Sequence, residues 1–185
     1  GKNSSLIADF AFLRDYKSLT GDKIKTKNVN HLFLDYTNDL KIPNYLESKF
    51  DAQFEKVTND TYLKVFQNNL FNTPVMPESQ TTMNSNMTLY LEKEDQNLTS
   101  GIQVYEKLEG RSSDRYQYTF PYYNFSKNIS SIIQNNSIKG HLDFYSSGSN
   151  NLSNTNNLRT TFANELNYSS QRYISKLGFE NNFNL

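Results

Sequence analysis

Side chains suited to proton transfer or metal binding are sparse in this 185-residue chain: two histidines, His31 and His141, and no cysteine. Neither histidine has a second at H-x-x-x-H or H-x-H spacing, so neither reads as half of a metal site. Each falls on the polar side of an alternating stretch, which predicts a solvated or lumen-facing ring. Without cysteine there is no thiol nucleophile, no disulfide framework and no Cys-ligated zinc. The carboxylate pairs Glu92/Glu94 and Glu106/Glu109 flank turns and read as solvated turn residues, not as acid–base dyads. No G-x-S-x-G, Walker or G-x-G-x-x-G stretch occurs, and glycine totals only 7. The N-x-[ST] triplets at Asn59, Asn86, Asn97, Asn124, Asn128 and Asn167 are expected by chance in a chain this rich in Asn and Ser. No catalytic, cofactor-binding or metal-ligating residue is assigned, and the expectation is a protein that is not an enzyme.

The elements that carry these residues must be inferred from composition and periodicity. Lys+Arg number 19 against 19 Asp+Glu, a net charge of zero. No basic face is available to neutralise phosphates, which argues against a nucleic-acid partner. The hydrophobic fraction is only 36% and mean hydropathy is −0.75, values that drift toward disorder. Yet 13 Tyr and 13 Phe are present, and disordered chains are poor in aromatics. Strands with an aromatic, apolar face and an uncharged polar face reconcile the two. No run of 18 apolar residues exists, so no transmembrane helix is expected. The chain starts without Met and stops inside an alternating pattern, so residues 1–185 are read as an internal excerpt of a longer protein.

Period-two alternation recurs along the chain. Leu6, Ala8, Phe10 and Phe12 share one side of the first stretch. Leu32, Leu34 and Tyr36 oppose His31, Phe33, Asp35 and Thr37, and Phe50, Ala52 and Phe54 oppose Asp51, Gln53 and Glu55. Met83, Met87, Leu89 and Leu91 stand against Asn84, Asn86 and Thr88, and Leu98, Ile102 and Val104 against Thr99 and Gln103. Tyr116, Tyr118, Phe120 and Tyr122 are assigned to one face, with Pro121 predicting a bulge or bend. Ile138, Leu142 and Phe144 oppose Lys139, His141, Asp143 and Tyr145. Leu158, Phe162, Leu166 and Tyr168 oppose Arg159, Thr161 and Glu165. Tyr173, Leu177, Phe179 and Phe183 complete a set of roughly nine strands of about 8–12 residues, long enough to cross a tilted bilayer span.

Short turns at 94–97 and 169–172 are expected to alternate with long loops at 17–28, 58–80 and 146–157. Within the second loop, Tyr62, Val65 and Phe66 have helical spacing after Asn59 and Asp60, which predicts one helical turn capped by that pair. Pro74 and Pro77 stop it. The aromatic run at 116–123 lacks a basic groove for stacking nucleic acid and fits a membrane-interface girdle better.

Val57-Thr58-Asn59-Asp60-Thr61-Tyr62-Leu63-Lys64-Val65-Phe66 resembles a stretch of the LPS-assembly protein (LptD) family, the organic solvent tolerance proteins, in their barrel domain. The order that follows is also similar. An alternating pair comes first (81–92 and 98–106), then Ser113-Asp114-Arg115-Tyr116-Gln117-Tyr118, then Gly140-His141-Leu142-Asp143-Phe144-Tyr145 and Asn157-Leu158-Arg159-Thr160-Thr161. The likeness spans residues 30–185. It implies an all-β fold, an antiparallel meander of about 8–10 long strands that forms part of a large transmembrane β-barrel. It also implies the Gram-negative outer membrane as location and insertion of lipopolysaccharide into the outer leaflet as function. The implied partners are lipopolysaccharide, membrane lipid, a plug lipoprotein and a periplasmic bridge protein, with no cofactor. The family's cysteines, periplasmic domain and barrel-closing strands would lie outside such an excerpt. Alternatives are another outer-membrane barrel (porin or receptor) and a secreted β-sandwich binding module.

Overall fold

Alternation commits whole faces of a strand to one environment, and here it stays in register across eight neighbours. A computed structural model describes residues 3–20, 23–70, 72–109, 115–130, 140–153, 157–171, 173–178, 180–181 and 184. The strands are β1 (Ser4–Thr20), β2 (Lys23–Asp39), β3 (Glu47–Val57), β4 (Thr82–Glu92), β5 (Gln96–Lys107), β6 (Tyr116–Asn128), β7 (Gly140–Ser153) and β8 (Asn157–Ser170). They pair antiparallel in chain order as one all-β meander, and among the described residues the sheet is not closed. Two one-turn helices, α1 (Tyr62–Val65) and α2 (Gln67–Leu70), lie in the β3–β4 connection, and β9 (Tyr173–Ile174) pairs with β10 (Glu180–Asn181).

The strands are longer than the hydrophobic pattern predicts, 11 to 17 residues in the eight-stranded sheet. Two of the three expected long loops are paired backbone. Lys17 to Thr20 pair with Thr26 to Lys23, and Ser146 to Ser153 pair with Asn164 to Asn157. The Ser/Asn/Gly stretch becomes strand because β6 and β8 take its amides and carbonyls on both sides. Aromatic rings then cover its small residues: a Cβ on Gly148 would meet the Tyr123 ring at 2.6 Å. The expected ninth strand is only the β9–β10 pair, with Phe179 and Phe183 outside the described residues, as are Ile138, Lys139, Ser113, Asp114 and Arg172.

Pro121 does produce the expected bulge. The register jumps from Thr119↔Asn151 to Tyr122↔Ser149, so Phe120 and Pro121 together face one residue of β7, and the Phe120–Pro121 peptide is cis. The extra residue corrects the face assignment of Tyr122. It pairs with Gly101 on the polar face, with its hydroxyl 2.9 Å from Thr88 Oγ1, while Tyr123 and Phe125 return to the apolar side. Gly101 makes room for that ring, since a Cβ there would lie 2.3 Å from the Met87 carbonyl oxygen and 2.9 Å from Tyr122 Oη. Gly101→Val is therefore expected to cost about 1–3 kcal/mol, read as a lower midpoint of thermal unfolding. An unchanged midpoint would mean Tyr122 does not sit there.

Helical spacing at 62–66 yields α1 as expected, but its N-cap is Thr61, whose side chain makes no capping bond. Asn59 acts two residues earlier, its Oδ1 accepting from the Thr61 amide and hydroxyl at 3.1 Å each. The β3–β4 ladder ends at Gln53↔Asn86. Beyond it side chains replace backbone pairing: the Asn84 amide donates to Glu55 Oε2 at 2.7 Å and the Glu55 amide to Ser85 Oγ at 3.1 Å. Into this parting folds the helical connection. The core sits there, made of Val29, Phe33, Val57, Tyr62, Leu63, Leu70, Met83 and Leu108.

Candidate functional site on the two faces of the sheet

One face is apolar and uncovered. Leu34, Phe54, Met87, Ile102, Tyr123 and Phe162 share it by register. Its large side chains stand open: Leu6 is 63% exposed, Phe10 65%, Phe120 64%, Phe162 67%. Such a continuous exposed apolar surface marks a contact with lipid or protein. Charged side chains border it and do not enter it. Lys56 and Glu106 mark one end and Lys127 the other, with only apolar, aromatic, Ser, Thr, Asn, Gln and Gly residues of β2 to β8 between them on this face. From Phe144, level with Lys127, to Leu152 this face runs eight residue steps along β7, about 26 Å along a strand.

The opposite face is polar and mostly uncharged, and its side chains bond from strand to strand. Asn86 Nδ2 donates to Gln53 Oε1 at 3.1 Å, and Gln103 Nε2 donates to Asn84 Oδ1 at 3.2 Å. Thr119 Oγ1 donates to Asn151 Oδ1 at 2.8 Å, and Ser149 and Thr161 hydroxyls lie 2.8 Å apart. Amides and hydroxyls offer donors and acceptors together, so this surface holds water or sugar hydroxyls without an ionic trap.

Of the two expectations for His31, a solvated or a lumen-facing ring, the first is corrected. The ring lies on the polar face but is 2% exposed, covered by α1 and stacked on Phe33 with centroids 4.4 Å apart. Its Nδ1 is 2.8 Å from Tyr62 Oη and its Nε2 2.9 Å from Asp9 Oδ2. Hydroxyl, imidazole and carboxylate in line resemble a nucleophile relay, yet this one is unsuited to catalysis. Tyr62 is 5% exposed, and burial, with the Asp9 charge adding to it, pushes its hydroxyl above the ordinary tyrosine range. An inaccessible hydroxyl that resists ionisation works as a clasp, tying α1 to β1 and β2.

Two ionic contacts complete the clasp. Asp60 accepts from Arg115 at 2.9 Å, which raises the guanidinium pKa further above its ordinary value, and Lys64 pairs with Glu109. Arg115 also reaches Glu106 at 2.7 Å, and Lys56 reaches the same carboxylate at 2.7 Å. Glu106 is thus a buried, paired carboxylate, 4% exposed, and not the solvated turn residue expected. It sits apart from Glu109, which faces Lys64. Glu92 accepts from the Tyr90 hydroxyl at 2.6 Å while Glu94 lies in the β4–β5 turn, so that pair shares no site either. His141 stays exposed, with Nδ1 3.2 Å from Asn128 Nδ2.

The residues that sequence reasoning missed here are Asp9, Tyr62 and Arg115. They lie 22, 31 and 9 positions from their partners His31, His31 and Glu106, and no local spacing joins them. The available signal was Phe33, an apolar ring set between His31 and Asp35 on that side of β2, which marks where something must cover the sheet. Among the described residues no group of three or more His, Asp or Glu side chains could hold a metal, and no helix is long and apolar enough to cross a membrane. No protein-family model matches the chain, and no curated protein or solved structure matches it.

Proposed function

We propose that this sheet is a stretch of wall in an outer-membrane β-barrel of the lipopolysaccharide-assembly machinery, with its apolar face against lipid and its polar face toward a hydrated lumen. The observation that carries the barrel reading is the uncharged, exposed apolar band backed by a hydrogen-bonded polar face. In water such a band would leave large rings and aliphatic chains unpartnered, whereas bilayer hydrocarbon accepts them without a protein partner. Among the described residues no strand pairs with the outer side of β1, and β8 carries only a single bridge, Ser169 to Asn184, which fits a wall that continues, since native proteins pair or cover long edges. The order of features around Val57–Phe66 supports the narrower assignment to lipopolysaccharide transport. In that step no covalent bond changes, and the lumen's amides and hydroxyls would meet sugar headgroups while acyl chains travel along apolar surface.

Single cysteines test the reading, because the chain has none of its own. Thiols at Phe50, Phe54, Leu89, Phe120 and Phe162 are expected to react only with a lipid-confined probe. Those at Asp51, Gln53, Thr88, Thr119 and Thr161 should react only with a water-soluble one. If the first set is silent to both probes, the apolar face is packed against protein and a soluble sandwich replaces the barrel. For the narrower assignment, a photo-crosslinking residue at Thr88 or Thr119 in growing cells should capture lipopolysaccharide. Adducts lacking it would leave a barrel of another function.

A further inference from the structure

Near one end of the polar face, four strands carry two rows of mostly short polar side chains around one aromatic ring. One row across β5 to β8 is Asn97, Ser126, Tyr145 and Glu165, and the next is Thr99, Asn124, Ser147 and Ala163. Tyr145 stands amid short neighbours and is 43% exposed. Beside its ring lies a hollow of about 420 Å³ bounded by both rows, within the roughly 300–1,000 Å³ of small-molecule sites. A second hollow of about 180 Å³ adjoins it, sharing Asn97, Ser126 and Tyr145 and reaching Asp95 and Asp143.

We infer that this trough binds an uncharged saccharide, with a pyranose ring laid on Tyr145. Sugars present two chemistries at once, an apolar C–H face and a rim of hydroxyls that both donate and accept. Tyr145 supplies an exposed aromatic face for the first. For the second, Asn97 and Asn124 offer an amide donor and a carbonyl acceptor each, Ser126 a hydroxyl, and Glu165 two acceptor oxygens. Glu165 is already oriented, since Asn167 Nδ2 donates to its Oε1 at 2.8 Å. Asn128 likewise holds Asp143, donating to Oδ1 at 2.8 Å. Charge narrows the ligand further. Glu94, Asp95, Asp143 and Glu165 line the trough against one lining cation, Lys127, which stands 3.9 Å from Asp95. Phosphorylated or sulfated sugars would meet repulsion there, so the site takes the neutral part of a glycan. This inference needs only the polar face to be accessible. It therefore holds for a lumen wall and for a soluble sheet alike, and it stands apart from the lipopolysaccharide assignment.

The test is titration calorimetry of the intact protein with maltotriose, chitotriose and mannotriose, and with glucose 6-phosphate as the charged counterpart. At least one neutral trisaccharide should bind, and glucose 6-phosphate should bind about tenfold more weakly or not at all. Tyr145→Ser should weaken binding about tenfold while Tyr145→Phe retains it, and Glu165→Gln should weaken it several-fold. Both sites are exposed, and circular dichroism would verify that the sheet persists. Absence of binding by all three neutral sugars, equal or tighter binding of glucose 6-phosphate, or indifference to Tyr145→Ser would each overturn the inference. The thiol-labelling result bears on the barrel and leaves this outcome separate.

Discussion

Phe33→Ala is expected to cost about 3–5 kcal/mol, the usual range for removing a fully buried phenylalanine, and to release the α1–α2 connection from the sheet. Phe33 is 0% exposed and belongs to the one buried apolar cluster of the described residues. Its ring also forms the platform under His31, so the substitution removes packing and loosens the Tyr62–His31–Asp9 line together. Two readouts separate this from general weakening. Limited proteolysis should cut between residues 58 and 81 at lower protease concentration, while cross-strand amides between β7 and β8, remote from the cluster, keep their exchange rates. Tyr62→Phe is the milder companion, losing one hydroxyl contact worth about 1 kcal/mol. If Phe33→Ala leaves the 58–81 connection as resistant as before, the helical segment is held by something other than this core.

Met87→Arg should prevent or strongly impair insertion, at a cost of about 2–4 kcal/mol for a cation near the middle of a lipid-facing band. Met87 is 50% exposed and pairs with Ala52 and Ile102, far from the charged borders of the apolar face. Leu158→Arg supplies the control. Leu158 is more open still, at 63%, but is only the second residue of β8. There an arginine can reach the headgroups, so the cost should fall to about 0–1 kcal/mol. Folding equilibria measured in vesicles would give both values. The depth dependence is the diagnostic. Were the face exposed to water, both substitutions would be nearly neutral. Were it packed against protein, Met87→Arg would bury an unpaired charge and abolish folding even in detergent-free buffer.

Most of the sheet was legible because side-chain alternation is a property of the extended backbone itself. Phe50, Ala52 and Phe54 must point one way and Asp51, Gln53 and Glu55 the other, whatever lies beside them. The assignments of β2 to β5 and β8 hold for that reason. Pro121 was legible too, since a missing amide and a fixed φ disrupt any ladder. Its consequence for Tyr122 was not, because the side to which an extra residue throws the chain depends on how both neighbouring strands absorb it.

Two kinds of feature lay beyond local reading. The strand at 146–153 has no apolar alternation to betray it, and it exists because β6 and β8 hydrogen-bond its backbone from both sides while Tyr123 covers Gly148. The clasp joins Asp9, His31 and Tyr62 from β1, β2 and α1. Their proximity follows from where the 58–81 connection comes to rest, not from any spacing. By itself, then, the sequence determined that this chain is β, which side of most strands is apolar, and where the polar surface lies, because those follow from covalent geometry and solvent preference. Only the tertiary structure decided how far each strand runs, which way the Phe120–Pro121 bulge turns Tyr122, and which buried polar groups meet. Those depend on hydrogen bonds and packing supplied by residues distant in the chain.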